Sequence, residues 1–271
     1  MTRPRLQRLR DRLPGAFLAG RSPASWFEVT EIASGSWLIH EHRYWQVNSN
    51  YLLVGDDEAL LVDTGSGLSD LRAVVTALTD RPVRVLPTHL HWDHIGGIEC
   101  FDRHALLDVP ANRRLVRDGR LRTSYRSSFS LTGHTFRVDD WIEPDTRIDL
   151  GGRVIETMAT PGHSPDGLTL IDRAAKVACV GDLIYEGTLL ANLPGASLSG
   201  YSNSLAALRA RIEGIDLLLP GHGPPLRASL VRSLSAGLTR IATAKPRVGF
   251  PRKLPLTDEV AILLGYRASR R

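Results

Sequence analysis

Apolar and polar positions alternate in short runs through the first third of the chain. "SWFEVTEI" (25–32), "SWLIHE" (36–41), "NYLLVG" (50–55) and "EALLVDTG" (58–65) each read as a strand, with "GDDE" (55–58) as a hairpin turn between the last two. The period then changes. "LSDLRAVVTALTD" (68–80) sets its apolar residues at helical spacing, with Ser69 placed as an N-cap. "VRVLPTH" (83–89) returns to a strand pattern.

Further along, "HALLDV" (104–109) predicts a strand, "PANRRLVRDG" (110–119) a helix, and the Ser/Arg/Gly-rich 119–135 a loop. Strand runs return over 146–163, 167–182 and 215–223. Helical patterns cover 201–214 and 226–244, with a short helix expected near 257–265 and a basic helical turn or two over 4–13. No repeat at a fixed period of about 20–50 residues occurs. Interleaved strands and helices predict an α/β layered domain over 26–271, preceded by a basic extension, 1–25.

Composition changes this picture little. With 271 residues, 42% of them apolar, the chain can build a sizeable core, which excludes global disorder. The formal net charge of +5 is carried by arginine; only Lys176, Lys245 and Lys253 are lysines. The arginines of 113–126 suit a phosphate, such as that of CoA, or simply a solvated face. Cys100 and Cys179 lie in apolar stretches outside any C-x-x-C pair and are expected to be buried, reduced thiols. Without an apolar run of about 18 residues or a secretory h-region, the expected location is cytoplasmic, with no membrane and no nucleic-acid partner.

The chemistry concentrates in "THLHWDHIGG" (88–97), which holds His89, His91, Asp93 and His94. Alternate side chains share a face only in extended chain, so His89, His91 and Asp93 converge if this segment is strand or loop, with His94 beginning a new element. Five apolar runs end at a histidine, an aspartate or this cluster: Asp63, the cluster itself, His163, Asp182 and His222. Ligands in α/β proteins bind beyond the carboxyl ends of strands, and core packing does not account for such a recurrence. Five histidines and two acids suit two divalent ions of zinc type, Fe or Mn being alternatives, without either cysteine.

H-x-H-x-D-H followed by a separated His, Asp and His resembles the metallo-β-lactamase superfamily over about residues 26–225. The resemblance implies an αββα sandwich of two similar halves, about 26–130 and 131–271. It implies that His89, His91 and His163 hold one metal, that Asp93, His94 and His222 hold a second, that Asp182 bridges both, and that Asp63 supports the site from behind. A bridging aspartate is similar to glyoxalase II, lactonases and related hydrolases. "GDLIYEGTLLANLPGASLSGYSNSLAAL" (181–208) resembles a subgroup that includes an acyl-CoA thioesterase; residues 113–145 have no clear match.

The implied activity is cleavage of an acyl thioester or related ester by a metal-bridging hydroxide, the substrate being a small acyl compound, CoA- or carrier-linked. Asp93 would align the hydroxide. Tyr185 would donate to the oxyanion or leaving group, or is a core tyrosine at the start of a loop. Lactonase, β-lactamase, thioesterase-cyclase and phosphodiesterase are alternatives, and a non-catalytic metal-bound scaffold is an alternative of another class. Asp166 reads as a turn residue. His40, His42, His104 and His134 are left outside the chemistry. Tyr44 and Trp45 form either an aromatic lip for an acyl chain or an ordinary hairpin, and Trp92 reads as packing.

Overall fold

A computed structural model describes residues 26–124, 128, 133–244 and 251–265; the helix expected over 4–13 and the basic extension, 1–25, lie outside the described residues. Strands β1 (Glu28–Ala33), β2 (Ser36–His40), β3 (Ser49–Val54) and β4 (Ala59–Val62) come first, then helix α1 (Leu71–Leu78) and strand β5 (Val83–Leu86). These five strands form one sheet in sequence order, antiparallel up to β4, with β4 and β5 parallel across α1. α1 is capped by Asp70, whose side chain accepts from the Ala73 amide at 3.0 Å, one residue beyond the expected Ser69.

Helix α2 (Trp92–Ile95) follows, then β6 (Ala105–Leu107), α3 (Pro110–Arg113), β7 (Val116–Arg117), β8 (Arg120–Arg122), β9 (Thr135–Arg137) and β10 (Asp140–Ile142). The helix expected over 110–119 therefore stops after one turn, and its remainder joins a small three-stranded sheet, β7-β8-β9. That sheet buries Leu121 and Phe136, a gain that further helix could not supply. Its strands β8 and β9 also enter the stretch read as loop.

The second main sheet takes β11 (Arg147–Asp149), β12 (Val154–Ala159), β13 (Leu168–Asp172) and β14 (Val177–Gly181). After β15 (Gly187–Ala191) and helix α4 (Leu198–Arg211), β16 (Leu217–Pro220) pairs parallel with β14, and β17 (Leu226–Arg227) forms the edge. Helix α5 (Leu230–Ala244), β18 (Arg252–Pro255) and β19 (Val260–Leu264) complete the described chain. The short helix expected near 257–265 is instead β19, which lies between β15 and β18. Its Val260, Ile262 and Leu264 alternate into the core, and the pairing on both sides overrides any helical reading.

Three cores define the layers. Leu38, Tyr51, Leu60 and Val62 of the first sheet meet Ile155, Leu170, Val177 and Leu219 of the second, so the sheets pack face to face. The outer face of the first sheet packs Leu52 and Leu61 against Leu71 and Val75 of α1. The outer face of the second packs Ile171, Val180 and Leu218 against Tyr201, Leu205, Leu234 and Leu238 of α4 and α5. The result is the expected αββα sandwich. Among the described residues, no helix is long and apolar enough to cross a membrane. Cys179 is buried as expected, but Cys100 is exposed, because it lies at the end of a short 3-10 turn on the outer layer.

Candidate metal centre

The polar cluster lies beyond the carboxyl ends of β4, β5, β12, β14 and β16, where Asp63, the 89–94 segment, His163, Asp182 and His222 leave their strands. The segment is loop through His91, which caps α2; Asp93 and His94 then lie on α2 itself, so Asp93 joins the cluster from a helical turn and not from extended chain. Gly96 and Gly67 permit this packing: a Cβ on Gly67 would stand 2.3 Å from the Gly96 carbonyl oxygen, and Gly67 has φ +71°.

Three groups of donor atoms form here: His89 with His91 and His163; His89 with His94 and Asp182; and Asp93 with His94 and His222. His91 Nδ1 lies 2.9 Å from both His89 Nε2 and His163 Nε2. Asp182 stands between the groups, with Oδ2 at 3.4 Å from His163 Nε2 and 3.2 Å from His222 Nε2, and Oδ1 at 3.4 Å from His94 Nε2. Asp93 Oδ2 is 3.5 Å from His222 Nε2. All seven residues named for metal are thus brought together, and six are buried, His222 being the most open.

Neighbouring oxygens fix the tautomers. Asp63 accepts from the Thr88 amide at 2.6 Å, from the Thr88 hydroxyl at 2.9 Å and from His94 Nδ1 at 2.8 Å. With its hydrogen given to Asp63, the Thr88 hydroxyl accepts from His89 Nδ1 at 3.1 Å. His163 Nδ1 donates to the Leu190 carbonyl at 3.0 Å. With Nδ1 committed in this way, each of these three rings in its neutral form presents an Nε2 lone pair to the cluster, as metal-binding histidines do.

A hydrogen on His91 Nδ1 can serve only one of the two facing Nε2 lone pairs, and the cluster retains further unmet demand. His94 Nε2 and Asp182 Oδ1 are buried and make no hydrogen bond. Burial, reinforced by neighbouring imidazoles, holds His89, His91 and His163 below the ordinary histidine pKa, leaving them unprotonated. Burial acts the same way on His94 and His222, but Asp182 and the other nearby carboxylates outweigh it and raise both. For Asp182, burial opposes ionisation, yet His222, His94 and His163 outweigh it and lower its pKa well below the usual value. The residues fit divalent metal: unprotonated imidazoles on one side, and on the other carboxylates that need positive charge.

Tyr185 is buried at the start of the loop after β14. Its hydroxyl donates to the Thr188 carbonyl at 2.7 Å, and its ring stands edge-on to His222 at 5.5 Å between centroids. The single phenolic hydrogen is therefore spent within its own loop. Tyr44 is buried, edge-on to Trp92, whereas Trp45 is 78% exposed. His104 is buried between the Arg137 and Ile98 carbonyls, away from the cluster.

Several supporting residues escaped the sequence reading. Asp166 is buried and accepts from the Leu90 amide at 3.0 Å, so it is more than a turn residue. Asn48 donates to the Asp93 carbonyl at 2.9 Å, and Tyr201 to the Asp182 carbonyl at 2.9 Å. Buried Glu41 accepts from the Ser66 amide. All of these contacts are made across the fold, and only the run "GHSPDG", an acid three residues after a ligand candidate, carried any signal.

A family model described as the metallo-beta-lactamase superfamily matches residues 43–222. The acyl-coenzyme A thioesterase MBLAC2 of Gallus gallus is 29% identical over 227 residues, covering 74% of this chain and 82% of that protein. The probable metallo-hydrolase YqgX of Bacillus subtilis (strain 168) is 27% identical over 179 residues, covering 64% and 84%. Among solved structures, a metallo-beta-lactamase from Pontibacter korlensis superposes with a TM-score of 0.63 at 22% identity, covering 79% of this chain and 99% of that one.

Proposed function

Since this chain belongs to the metallo-beta-lactamase superfamily and is a metal-dependent hydrolase, we propose that it cleaves acyl thioesters of the acyl-CoA type at a site for two zinc-like divalent ions. The observation that carries this reading is the convergence of seven donor residues from four strand ends, three of them with their outward nitrogen committed to oxygen. His89, His91 and His163 would hold one ion and Asp93, His94 and His222 the other, with Asp182 shared and Asp63 behind. Bound metal would polarise a carbonyl and make water nucleophilic near neutral pH.

The chain's own residues do the rest. Asp93, tied through its carbonyl to Asn48, offers a carboxylate to align the attacking water and take its proton. Two exposed apolar side chains, Trp45 and Leu68, belong to the loops that follow β2 and β4 and favour an apolar acyl group. With ligands supplied from both sheets, residues 26–271 would act as one functional domain. The thioesterase name of the Gallus gallus relative supports the substrate class.

The test is metal analysis of native and chelated protein, followed by a panel of acyl-CoAs, lactones, nitrocefin and bis-p-nitrophenyl phosphate. The expected result is two ions per chain and turnover of acyl-CoA that chelation abolishes. Turnover of the phosphodiester alone would overturn the acyl-hydrolase reading.

A further inference from the structure

Two buried carboxylates grip the chain on either side of His89. Asp63, at the end of β4 in the first sheet, takes the Thr88 amide. Asp166, in the loop between β12 and β13 of the second sheet, takes the Leu90 amide. The start of β13 points the same way, the Leu168 amide donating to the Thr88 carbonyl at 2.9 Å. Leu90 itself is buried in the outer core with Ile95 and Ile98, so its side chain is anchored on the side away from the histidines.

The placement of Asp166 is costly. Its side chain is buried, and burial is the largest influence on its ionisation, raising its pKa. A buried carboxylate normally needs a cationic partner; here Ser164 and backbone amides favour the ionised form, and among them the Leu90 amide is the one that lies on the first sheet's loop. Asp166 is also carried three residues after His163, whose Nε2 meets His91 Nδ1 at 2.9 Å. One loop thus brings a ligand candidate to the three-histidine group and a clamp to the segment bearing the other two.

We infer that Asp166 is a positioning residue: by holding the Leu90 amide it sets His89 and His91 against His163, so that the three-histidine group assembles only when the loops of the two sheets are docked. This rests on the metal reading above. Outer partners of metal ligands characteristically change affinity by about 10- to 100-fold when removed.

Cobalt titration followed by visible absorption, with zinc affinity from chelator competition, tests the inference on the wild type, D166A, D166S and D166N. Alanine cannot accept from the Leu90 amide and serine is too short to reach it; asparagine can still accept. The expected result is that D166A and D166S bind one of two ions about 10- to 100-fold more weakly, the absorption of the other ion being unchanged, while D166N returns to within a few-fold of wild type. D166S keeps the test decisive should D166A not fold. Wild-type affinity for both ions in either short variant overturns the inference, even if its melting temperature falls. A wild type that takes up no metal overturns the metal reading, and this inference with it.

Discussion

Arg153 and Asp172 form a buried ion pair, Nε and an outer guanidinium nitrogen lying 2.7 and 2.6 Å from one carboxylate oxygen. The same guanidinium donates to the carbonyls of Gly35 at 2.7 Å and Val54 at 3.1 Å. An arginine of the second sheet therefore satisfies backbone acceptors of the first, at the end of the sandwich opposite the metal centre. Removing one member leaves a buried charge without its partner. Replacing Arg153 by Met, or Asp172 by Asn, is expected to cost about 3–5 kcal/mol, measured by denaturant unfolding. A loss below about 1 kcal/mol would show that the pair does not hold the sheets.

Gly221 tests the crowding of the metal centre. A Cβ there would lie 2.5 Å from His94 Cε1 and 2.6 Å from Asp182 Oδ1. G221A should push both groups aside and lower the metal content of the folded variant below that of wild type, read by elemental analysis. Full occupancy would mean that the ligands shift without penalty.

Tyr185 separates two roles. Loss of an oxyanion donor typically lowers kcat by about 100- to 1,000-fold. Because the Tyr185 hydroxyl is committed to Thr188, Y185F is expected to keep kcat within a few-fold and to lose about 1 kcal/mol of stability. A fall in kcat of the larger size, at unchanged metal content, would restore the oxyanion role.

His40 gives stability a pH dependence. Burial, then His42 and His222, lower its pKa from 6.5 to about 4. The unfolded chain takes up a proton between these values and the folded protein does not, so this contribution is complete above pH 6.5 and is lost as pH falls towards 4. Its full size is about 3 kcal/mol. H40Q should make the decline in unfolding free energy between pH 7 and 4.5 shallower, by denaturant titration at each pH. An unchanged slope would assign the acid sensitivity elsewhere.

Much of the centre was legible because strand-forming runs and chemical residues are adjacent in sequence. "ALLVD", "KVACVGD" and "IDLLLPGH" announce both the buried strand and the group at its end. What was not legible depends on partners distant in sequence. Val260–Leu264 is a strand because Gly187–Ala191 lies beside it, some seventy residues earlier in the chain. The segment after Pro110 leaves its helix because Leu121 and Phe136 are buried by turning back. Asp166 looks like a turn residue until the Leu90 amide, on the other sheet's loop, is seen to need it. Spacing from Asp182 left two readings of Tyr185 open, because spacing gives no direction to a hydroxyl.

The loop after β16 crosses from one sheet to the other: the Ser49 amide donates to the Gly221 carbonyl at 2.8 Å, and Asn48 and His222 form an antiparallel bridge. The reactive groups thus straddle a seam, and neither side owns a working set. A nascent chain that has completed only its first sheet and α2 would carry His89, His91, Asp93 and His94 without His163, Asp182 and His222, so the full cluster can close only after the second sheet has been made.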